Sequence, residues 1–540
     1  MFHPTTKEIM LTIQNLSYIH PNKDCLFSNI NLTLNANDQV ALIGSNGTGK
    51  STLLKIIAGQ LQPSDGSLIA DTNAYYIPQI FGQYNHLTIA EAMGVDRKLN
   101  ALHEILNGNV SEVNYDILND DWTIEKRCRN ALAHWLLSEF DLSQKMDTLS
   151  GGQKTKVFLA GIFLHNPQLV LLDEPSNHLD DSGRQLLYDY IQSTNATLLI
   201  VSHDRKLLNL VDRICELSRQ GINTYGGNYD FYTEQKRIEE AALNEDIQDK
   251  EKALRKAKEK ERETIERQQR LDSRGKKKQL KSGVSRIMMN TLRNNAENST
   301  AKLKSVHNEK TGNIRQELQD LRASVSEIDQ MKFGFDNSAL HKGKNLFVAT
   351  DINFRYENQS YLWKSKLNIQ IVSGERIAIK GPNGSGKTTL IQVVLGNLHP
   401  QTGKVFIADS KSVYIDQDYS LVNNKITVYD QTQQFNTTGL QEHEVKIRLN
   451  RFLFSQEQWG KSCGALSGGE RMRLALCCLS IGYRSPDMII LDEPTNNLDI
   501  QNIEILTNAI NDYQGTLIVI SHDESFLDEI NIERTIALYR

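Results

Sequence analysis

GSNGTGKST, starting at Gly44, and GPNGSGKTT, starting at Gly381, decide the fold of this chain. Each fits the pattern GxxxxGK[ST], and each follows a short apolar run, residues 40–43 in one case and 377–379 in the other. A strand, a glycine-rich loop and a helix are therefore expected in that order. The backbone N–H groups of such a loop and of the following helix N-terminus form a cradle for phosphate oxygens. Lys50 or Lys387 adds a positive charge at the β- and γ-phosphates, and the Ser51 or Thr388 hydroxyl can ligate Mg2+. A single match can arise by chance, but two in the same local context cannot.

Working outward, the loop is one member of a repeated series. LSGGQ at Leu149 returns as LSGGE at Leu466, LLDEPSNHLD at Leu171 as ILDEPTNNLD at Ile490, and VSHD at Val201 as ISHD at Ile520. Such self-similarity sets the architecture before any secondary structure is assigned. From Lys50 to Lys387 the offset is 337 and from Gln79 to Gln417 it is 338, whereas Ser150 to Ser467 gives 317 and Asp173 to Asp492 gives 319. The first copy thus carries about 21 extra residues somewhere in 80–148. The expectation is an α/β protein with two nucleotide-binding domains in tandem, 1–232 and 336–540, joined by an α-helical hairpin over 233–335.

The connecting segment has a different character. Ile314, Leu318, Leu321, Val325 and Ile328 form a narrow apolar seam of coiled-coil type, and Ile247, Leu254 and Ala257 mark a thinner stripe on the preceding arm. Two helices folding back on each other account for both, with a turn expected between Gly275 and Gly283. Between Arg267 and Arg293 stand nine basic residues (Arg267, Arg270, Arg274, Lys276, Lys277, Lys278, Lys281, Arg286, Arg293) against Asp272 alone. A solvated charged helix explains the balanced stretch 250–266 but not this one-sided tip, which has the footprint of RNA phosphate contact. Arg270, Arg274, Lys276, Lys277, Lys278, Lys281 and Arg286 are the candidate contacts.

Composition excludes several classes. With 540 residues, 24% charged residues and a net charge of −5, the chain reads as an ordinary globular protein too long for one core. No apolar run approaches the ~20 residues that span a bilayer, and the first ten residues hold no signal-peptide core, so a cytoplasmic location is expected. The six cysteines show no metal-binding or disulfide spacing.

Asp173 and Asp492 end apolar strands and are placed to hold a magnesium shell, while the adjacent Glu174 and Glu493 can orient and deprotonate an attacking water. With LSGGQ and LSGGE beside these motifs, the chain resembles the ABC ATPase family. The resemblance implies ATP and Mg2+ as ligands and two composite sites, each closing the signature of one copy over the phosphate loop of the other. One would join Gly44, Ser45, Asn46, Gly47, Thr48, Gly49, Lys50, Ser51 and Thr52 to Ser467, Gly468, Gly469 and Glu470. Its counterpart would join Gly381, Pro382, Asn383, Gly384, Ser385, Gly386, Lys387, Thr388 and Thr389 to Ser150, Gly151, Gly152 and Gln153. It also implies metal contact by Gln79 and Gln417, switch histidines His203 and His522, and coupling aspartates Asp180 and Asp499. Tyr356 would stack on adenine in the second copy, and Tyr18 or His20 in the first.

Two cassettes without a membrane domain, together with YGGNYDFY from Tyr225 leading into the linker, resemble the ABC-F subfamily over essentially the whole chain. That resemblance implies a monomeric ATPase binding the ribosome at the tRNA exit site. Its linker would reach toward rRNA and P-site tRNA at the peptidyl-transferase centre, and the 21-residue excess would be an arm touching the ribosome. Antibiotic protection and a housekeeping translation role both remain open. The alternatives are the motor subunit of a transporter, which predicts a short linker, and a DNA-binding ATPase, which phosphate electrostatics alone do not exclude.

Overall fold

The computed structural model describes residues 8–21, 23–219, 221–281, 305, 309–322, 340–357, 360–437, 439–482 and 486–539, with backbone alone at 268, 269, 272 and 275–281. It divides into two compact units, one holding both cassettes (Met1–Phe231 with Gln330–Arg540) and one holding the linker (Tyr232–Asp329).

Short strands of unbroken apolar residues flanked by turns favour a sheet covered on both faces. Leu169–Asp173 and Thr197–Val201 behave this way, buried at every position. They lie in a six-stranded sheet ordered Tyr75–Ile77, Leu169–Asp173, Thr197–Val201, Gln39–Ile43, Arg213–Ser218, Gly221–Tyr225. All neighbours are parallel except the last pair. The second cassette repeats the arrangement with Ser412–Ile415, Met488–Asp492, Thr516–Ile520, Arg376–Lys380 and Arg534–Ala537, all parallel.

Each cassette adds a three-stranded antiparallel sheet, Cys25–Asn35, Ile9–Ile19, Asp65–Ala70 in the first and Leu367–Val372, Asn345–Asn353, Thr402–Ile407 in the second. Leu11, Phe27, Val40, Leu53, Leu54, Leu171 and Leu199 form one core where the two sheets sandwich the helix Lys50–Ile57. Adjacent parallel strands end in the phosphate loop, Asp173 and the segment leading to His203, so the topology gathers these groups at the carboxyl edge of the sheet.

Thr88 caps Ile89–Ala92 with a capping box and Thr427 caps Val428–Phe435. Buried Trp135 and Phe452 end the helices Ile124–His134 and Glu442–Arg451. The offset is 339 between the threonines and 317 between the aromatics, so the surplus of the first cassette falls between Thr88 and Trp135, where it forms Asp96–Leu106 and Glu112–Leu118.

In the linker unit the helix Tyr229–Lys281 continues for 53 residues, and a second helix covers 309–322. Ile247, Leu254 and Ala257 are half-buried, as are Ile314 and Leu321, while Leu318 is buried. Ion pairs Lys250–Glu317 and Arg322–Glu251 tie the two helices together. Val325 and Ile328 of the expected seam lie outside the described residues. Of the turn expected between Gly275 and Gly283, the part up to Lys281 is corrected to helix, and Ser282 and Gly283 lie outside the described residues. One helical glycine costs only about 1 kcal/mol, and the lysines, glutamine and leucine after it favour helix.

Among the described residues no helix is long and apolar enough to cross a membrane. All six cysteines are free, and Cys477 and Cys478 are fully buried in the helix Gly468–Ile481.

Trp363 joins this fold to the second phosphate loop. It is 2% exposed, its Nε1–H donates to the Ser385 carbonyl at 3.1 Å, and its own carbonyl accepts from Asn353 Nδ2 at 2.7 Å. Trp363→Ala is expected to destabilise the second cassette by about 3–5 kcal/mol, read as a lower first midpoint in calorimetry, with Trp363→Phe costing less.

Candidate nucleotide sites between the cassettes

Glycine is required where the phosphate loop enters its helix. Gly49 and Gly386 take φ of 99° and 88°, a left-handed turn, and a Cβ on Gly49 would lie 2.7 Å from Leu26 Cδ2. The turn aims Lys50 back over its own loop, where its ammonium donates to the Gly44 and Ser45 carbonyls. Lys387 does the same to Gly381 at 2.7 Å and Pro382 at 3.4 Å. Thr48 Oγ1 donates to the Ser45 carbonyl at 2.8 Å, bracing the first loop.

The first cavity, about 440 Å³, is lined by Asn46, Gly47, Gly49, Lys50, Ser51, Thr52, Gln79, Asp173, Glu174 and His203 from the first cassette and by Ser467 and Asn497 from the second. Its volume falls within the ~300–1,000 Å³ typical of small-ligand sites. Asn46 N–H donates to Asp499 Oδ2 at 2.8 Å, and Asn46 Nδ2 donates to the Asn497 carbonyl at 3.0 Å. His20 lines this cavity, whereas Tyr18 packs edge-on to His20 and against Phe27 in the core.

The second cavity, about 150 Å³, brings Asn383, Gln417, Glu493 and His522 together with Ser150, Gly151, Gly152 and His178 of the first cassette. Asn383 Nδ2 donates to the His178 carbonyl at 3.1 Å, and His522 Nδ1 lies 2.8 Å from Asp181 Oδ1. Tyr356 is half-exposed and shares a 2.9 Å hydrogen bond with Thr389 Oγ1 beside this loop's helix.

In both sites the hydroxyl after the lysine meets the aspartate at the strand end. Ser51 Oγ donates to Asp173 at 3.0 Å and Thr388 Oγ1 to Asp492 at 3.4 Å. These are hard oxygen donors that could share Mg2+ with phosphate oxygens. Among the described residues no group of three or more His, Cys, Asp or Glu could hold a metal ion. His203 Nδ1 and Ser385 Oγ are buried without a hydrogen-bond partner, so the cradle has polar capacity to spare.

Glu174 and Glu493 have φ of 49° and 50°, a strained conformation for a non-glycine residue. Each is held by its N–H donating across the sheet at 2.8 Å, to Val201 in one cassette and Ile520 in the other. Burial pushes Glu174 up to about 8, opposed by the Lys50 ammonium, and burial likewise raises Glu493, Asp173 and Asp492. Burial, then the charge of Lys50, holds His203 well below the ordinary histidine range, so its ring is neutral. Its Nε2 stands 3.3 Å from Glu174 Oε1.

Gln153 and Glu470 do not face the cavities. Their side chains turn back to accept from the Ser150 and Ser467 N–H groups at 2.8 Å, closing capping boxes that fix the signature loops. Sequence reasoning missed Tyr76 and Tyr414, whose hydroxyls donate to Asp173 at 3.1 Å and Asp492 at 2.9 Å. Their common offset of 338, the same as between Gln79 and Gln417, was the available signal.

A family model described as ABC transporter matches residues 27–177 and 365–496. The chain is 33% identical over 534 residues to the ATP-binding protein YdiF of Bacillus subtilis, covering 94% of this chain and 77% of that protein. It is 29% identical to ABC transporter F family member 2 of Arabidopsis thaliana, covering 91% and 70%. The chain belongs to the ABC ATPases, in their ABC-F group. The Uup ATP-binding protein of Escherichia coli is similar at 30% identity, covering 93% of this chain and 76% of its own. Among solved structures, RNase-L Inhibitor shares the tandem fold with a TM-score of 0.57 and 19% identity, covering 97% of this chain and 87% of that one. The ABC-F ATPase thus binds ATP and hydrolyses it with two cassettes on one chain.

The raised Glu174 has a consequence for stability. The folded protein keeps a proton there that the unfolded chain releases near the ordinary value of 4.5, so stability falls as pH rises from about 4.5 to 8. Glu174→Gln removes this term. Without nucleotide the variant should melt above the native protein at pH 8 by about 2–4 °C for each kcal/mol recovered. Differential scanning calorimetry should show the gap closing toward pH 5.

Proposed function

We propose that this ATPase acts on the ribosome, binding in the cytoplasm as a monomer at the tRNA exit site, with its linker directed toward rRNA, P-site tRNA and the peptidyl-transferase centre. The observation that carries the reading is the charge pattern of the linker. Along its stem, charges neutralise one another within a turn, as in Arg237 with Glu234, Lys252 with Asp249 and Arg255 with Glu259. Toward the tip the acids thin to Asp272 alone while Arg270, Arg274, Lys276, Lys277, Lys278, Lys281 and Arg286 accumulate. Arg270 and Arg274 are exposed, and the other five side chains lie outside the described residues. A compensated stem with an uncompensated tip suits insertion among RNA phosphates better than nonspecific coating of a polyanion. A tandem-cassette fold similar to this one, at a TM-score of 0.56 and 18% identity, occurs in a solved model of ribosome-bound archaeal Pelota and ABCE1. The length of the hairpin favours displacement of antibiotics from the peptidyl-transferase centre over a housekeeping role.

Within each site the same proposal assigns roles. Lys50 and Lys387 exchange loop carbonyls for β- and γ-phosphate oxygens. Ser51, Gln79 and Asp173, or Thr388, Gln417 and Asp492, would hold Mg2+, which supplies charge neutralisation at the transferring phosphoryl group. Glu174 and Glu493, in their ionised form, accept a proton from the water that attacks the γ-phosphorus as ADP leaves, and burial raises their affinity for it. His203 and His522 position the γ-phosphate, Ser150 and Ser467 close the sites, and His20 and Tyr356 stack on adenine.

Replacing both Glu174 and Glu493 with Gln should lower turnover by about 10²–10⁴-fold while leaving ATP binding intact, and should trap the protein on ribosomes in sedimentation with ATP. Recovery with membranes or with DNA instead would reverse the assignment. Protection predicts that expression raises resistance to drugs of the peptidyl-transferase centre, and unchanged sensitivity would leave the translation-factor role. Changing the seven basic tip residues to Gln should preserve ATPase activity but weaken ribosome binding and flatten its salt dependence.

A further inference from the structure

The two ATP sites share a backbone plan but not the side chains that cross between the cassettes. The helix Asp181–Ser193 of the first cassette begins with Asp181 and carries Arg184 and Tyr188 on the next turns. At the 319-residue offset, the helix Ile500–Asp512 of the second cassette has Ile500, Ile503 and Thr507 at those positions.

The polar set converges on the second site. Asp181 Oδ1 lies 2.8 Å from Nδ1 of His522, whose side chain is 7% exposed. His522 Nε2 lies 3.3 Å from Lys387 Nζ and 3.4 Å from Glu493 Oε1. Lysine can only donate, so Nε2 accepts and the ring proton sits on Nδ1, donated to Asp181. Arg184, its side chain 11% exposed, forms an ion pair with Asp204 at 3.3 Å and extends its field to Asp523 and Glu493 of the other cassette. Tyr188 donates to the same Asp204 at 2.7 Å. An exposed ion pair would contribute little, but here one partner is a buried ring beside the proposed base.

At the first site an isoleucine stands where the aspartate would be; His203 Nε2 also faces its glutamate, 3.3 Å from Glu174 Oε1, but its Nδ1 is buried without a hydrogen-bond partner. The coupling aspartates differ as well. Asp499 accepts from the Asn46 N–H of the facing phosphate loop, whereas Asp180 is held by Lys156 and the Gly183 N–H of its own cassette.

We propose that Asp181 is a positioning residue for the second ATP site. By accepting the Nδ1 proton of His522 from across the interface, it fixes the tautomer and orientation that present Nε2 as an acceptor to Lys387, beside Glu493. The switch histidine of the second site is therefore gated by a side chain of the first cassette, whereas the matching position for His203 is Ile500. The inference rests on the reading of Glu493 and His522 as the reacting pair.

The test is a double-mutant cycle on the full chain, with kcat and KM for ATP measured for Asp181→Ile, His522→Ala, His203→Ala and the two doubles containing Asp181→Ile. Isoleucine is the residue the second cassette uses at this position, and thermal melting checks that the variant folds. Asp181→Ile is expected to lower kcat by about tenfold with little change in KM. It should add nothing once His522 is removed, and should multiply fully with His203→Ala. Asp181→Asn, which keeps an acceptor, is expected to recover most of the loss. Independent effects of Asp181 and His522, or equal coupling of Asp181 to both histidines, would overturn the gate. Unchanged turnover in His522→Ala would instead remove the reading of that histidine on which the gate rests.

Discussion

Neither cassette closes a nucleotide cavity alone, because the wall opposite Lys50 is Ser467 with Asn497 and the wall opposite Glu493 is Ser150 with Gly151. Everything else in the cassettes serves that division. The parallel strands deliver their reactive side chains to one edge, and capping boxes at Ser150 and Ser467 stiffen the signature loops that must meet that edge from the other cassette. The left-handed turns at Glu174 and Glu493 aim each carboxylate at the seam at a cost of roughly 1–3 kcal/mol each, offset by the cross-sheet hydrogen bonds to Val201 and Ile520. Carrying both cassettes on one chain makes their encounter intramolecular.

A duplicated domain that closes on its own copy is free to diverge at the seam without disturbing either core. The cores have kept their pattern, with Leu171 and Ile490, Leu199 and Ile518 in equivalent buried places. The seam has not, as the pairs Asp181 and Ile500, Arg184 and Ile503, and His178 and Asn497 show. Divergence there changes how closure is sensed while leaving the phosphate cradle intact.

What could be read in the sequence follows from which constraints fix residue type. Gly49, Gly386, Lys50 and Lys387 were legible because a left-handed backbone or a phosphate charge admits few substitutes. Tyr76 and Tyr414 were not, since an aromatic in a strand passes for core packing until its hydroxyl is seen on Asp173 or Asp492. Gln153 and Glu470 were assigned to the nucleotide from their place in the signature, whereas serine followed three residues later by Gln or Glu is also a capping box, which is the role the structure gives them. The choice between Tyr18 and His20 needed coordinates, because register irregularities in the strand Ile9–Ile19 decide which ring reaches the cavity. Contacts between cassettes such as Asp181 with His522 were invisible, since they depend on how two domains meet rather than on either motif.

The root of the linker connects this chemistry to the hairpin. Tyr229 is buried at the start of the helix Tyr229–Lys281, and Asp230 is held to Asn209 by a reciprocal pair of 3.0 Å hydrogen bonds. Arg205, two residues beyond His203, forms an ion pair with Glu529 of the second cassette, and its charge also acts on Tyr229. One guanidinium therefore sits in the switch segment, pairs with the partner cassette and acts through its charge on the first residue of the long helix. At 1.5 Å per residue a helix of this length spans about 80 Å. Arg205 thus joins the switch segment, the second cassette and Tyr229 within the cassette unit, which gives a physical reason for the hydrolytic site and the root of the long helix to be encoded in one chain.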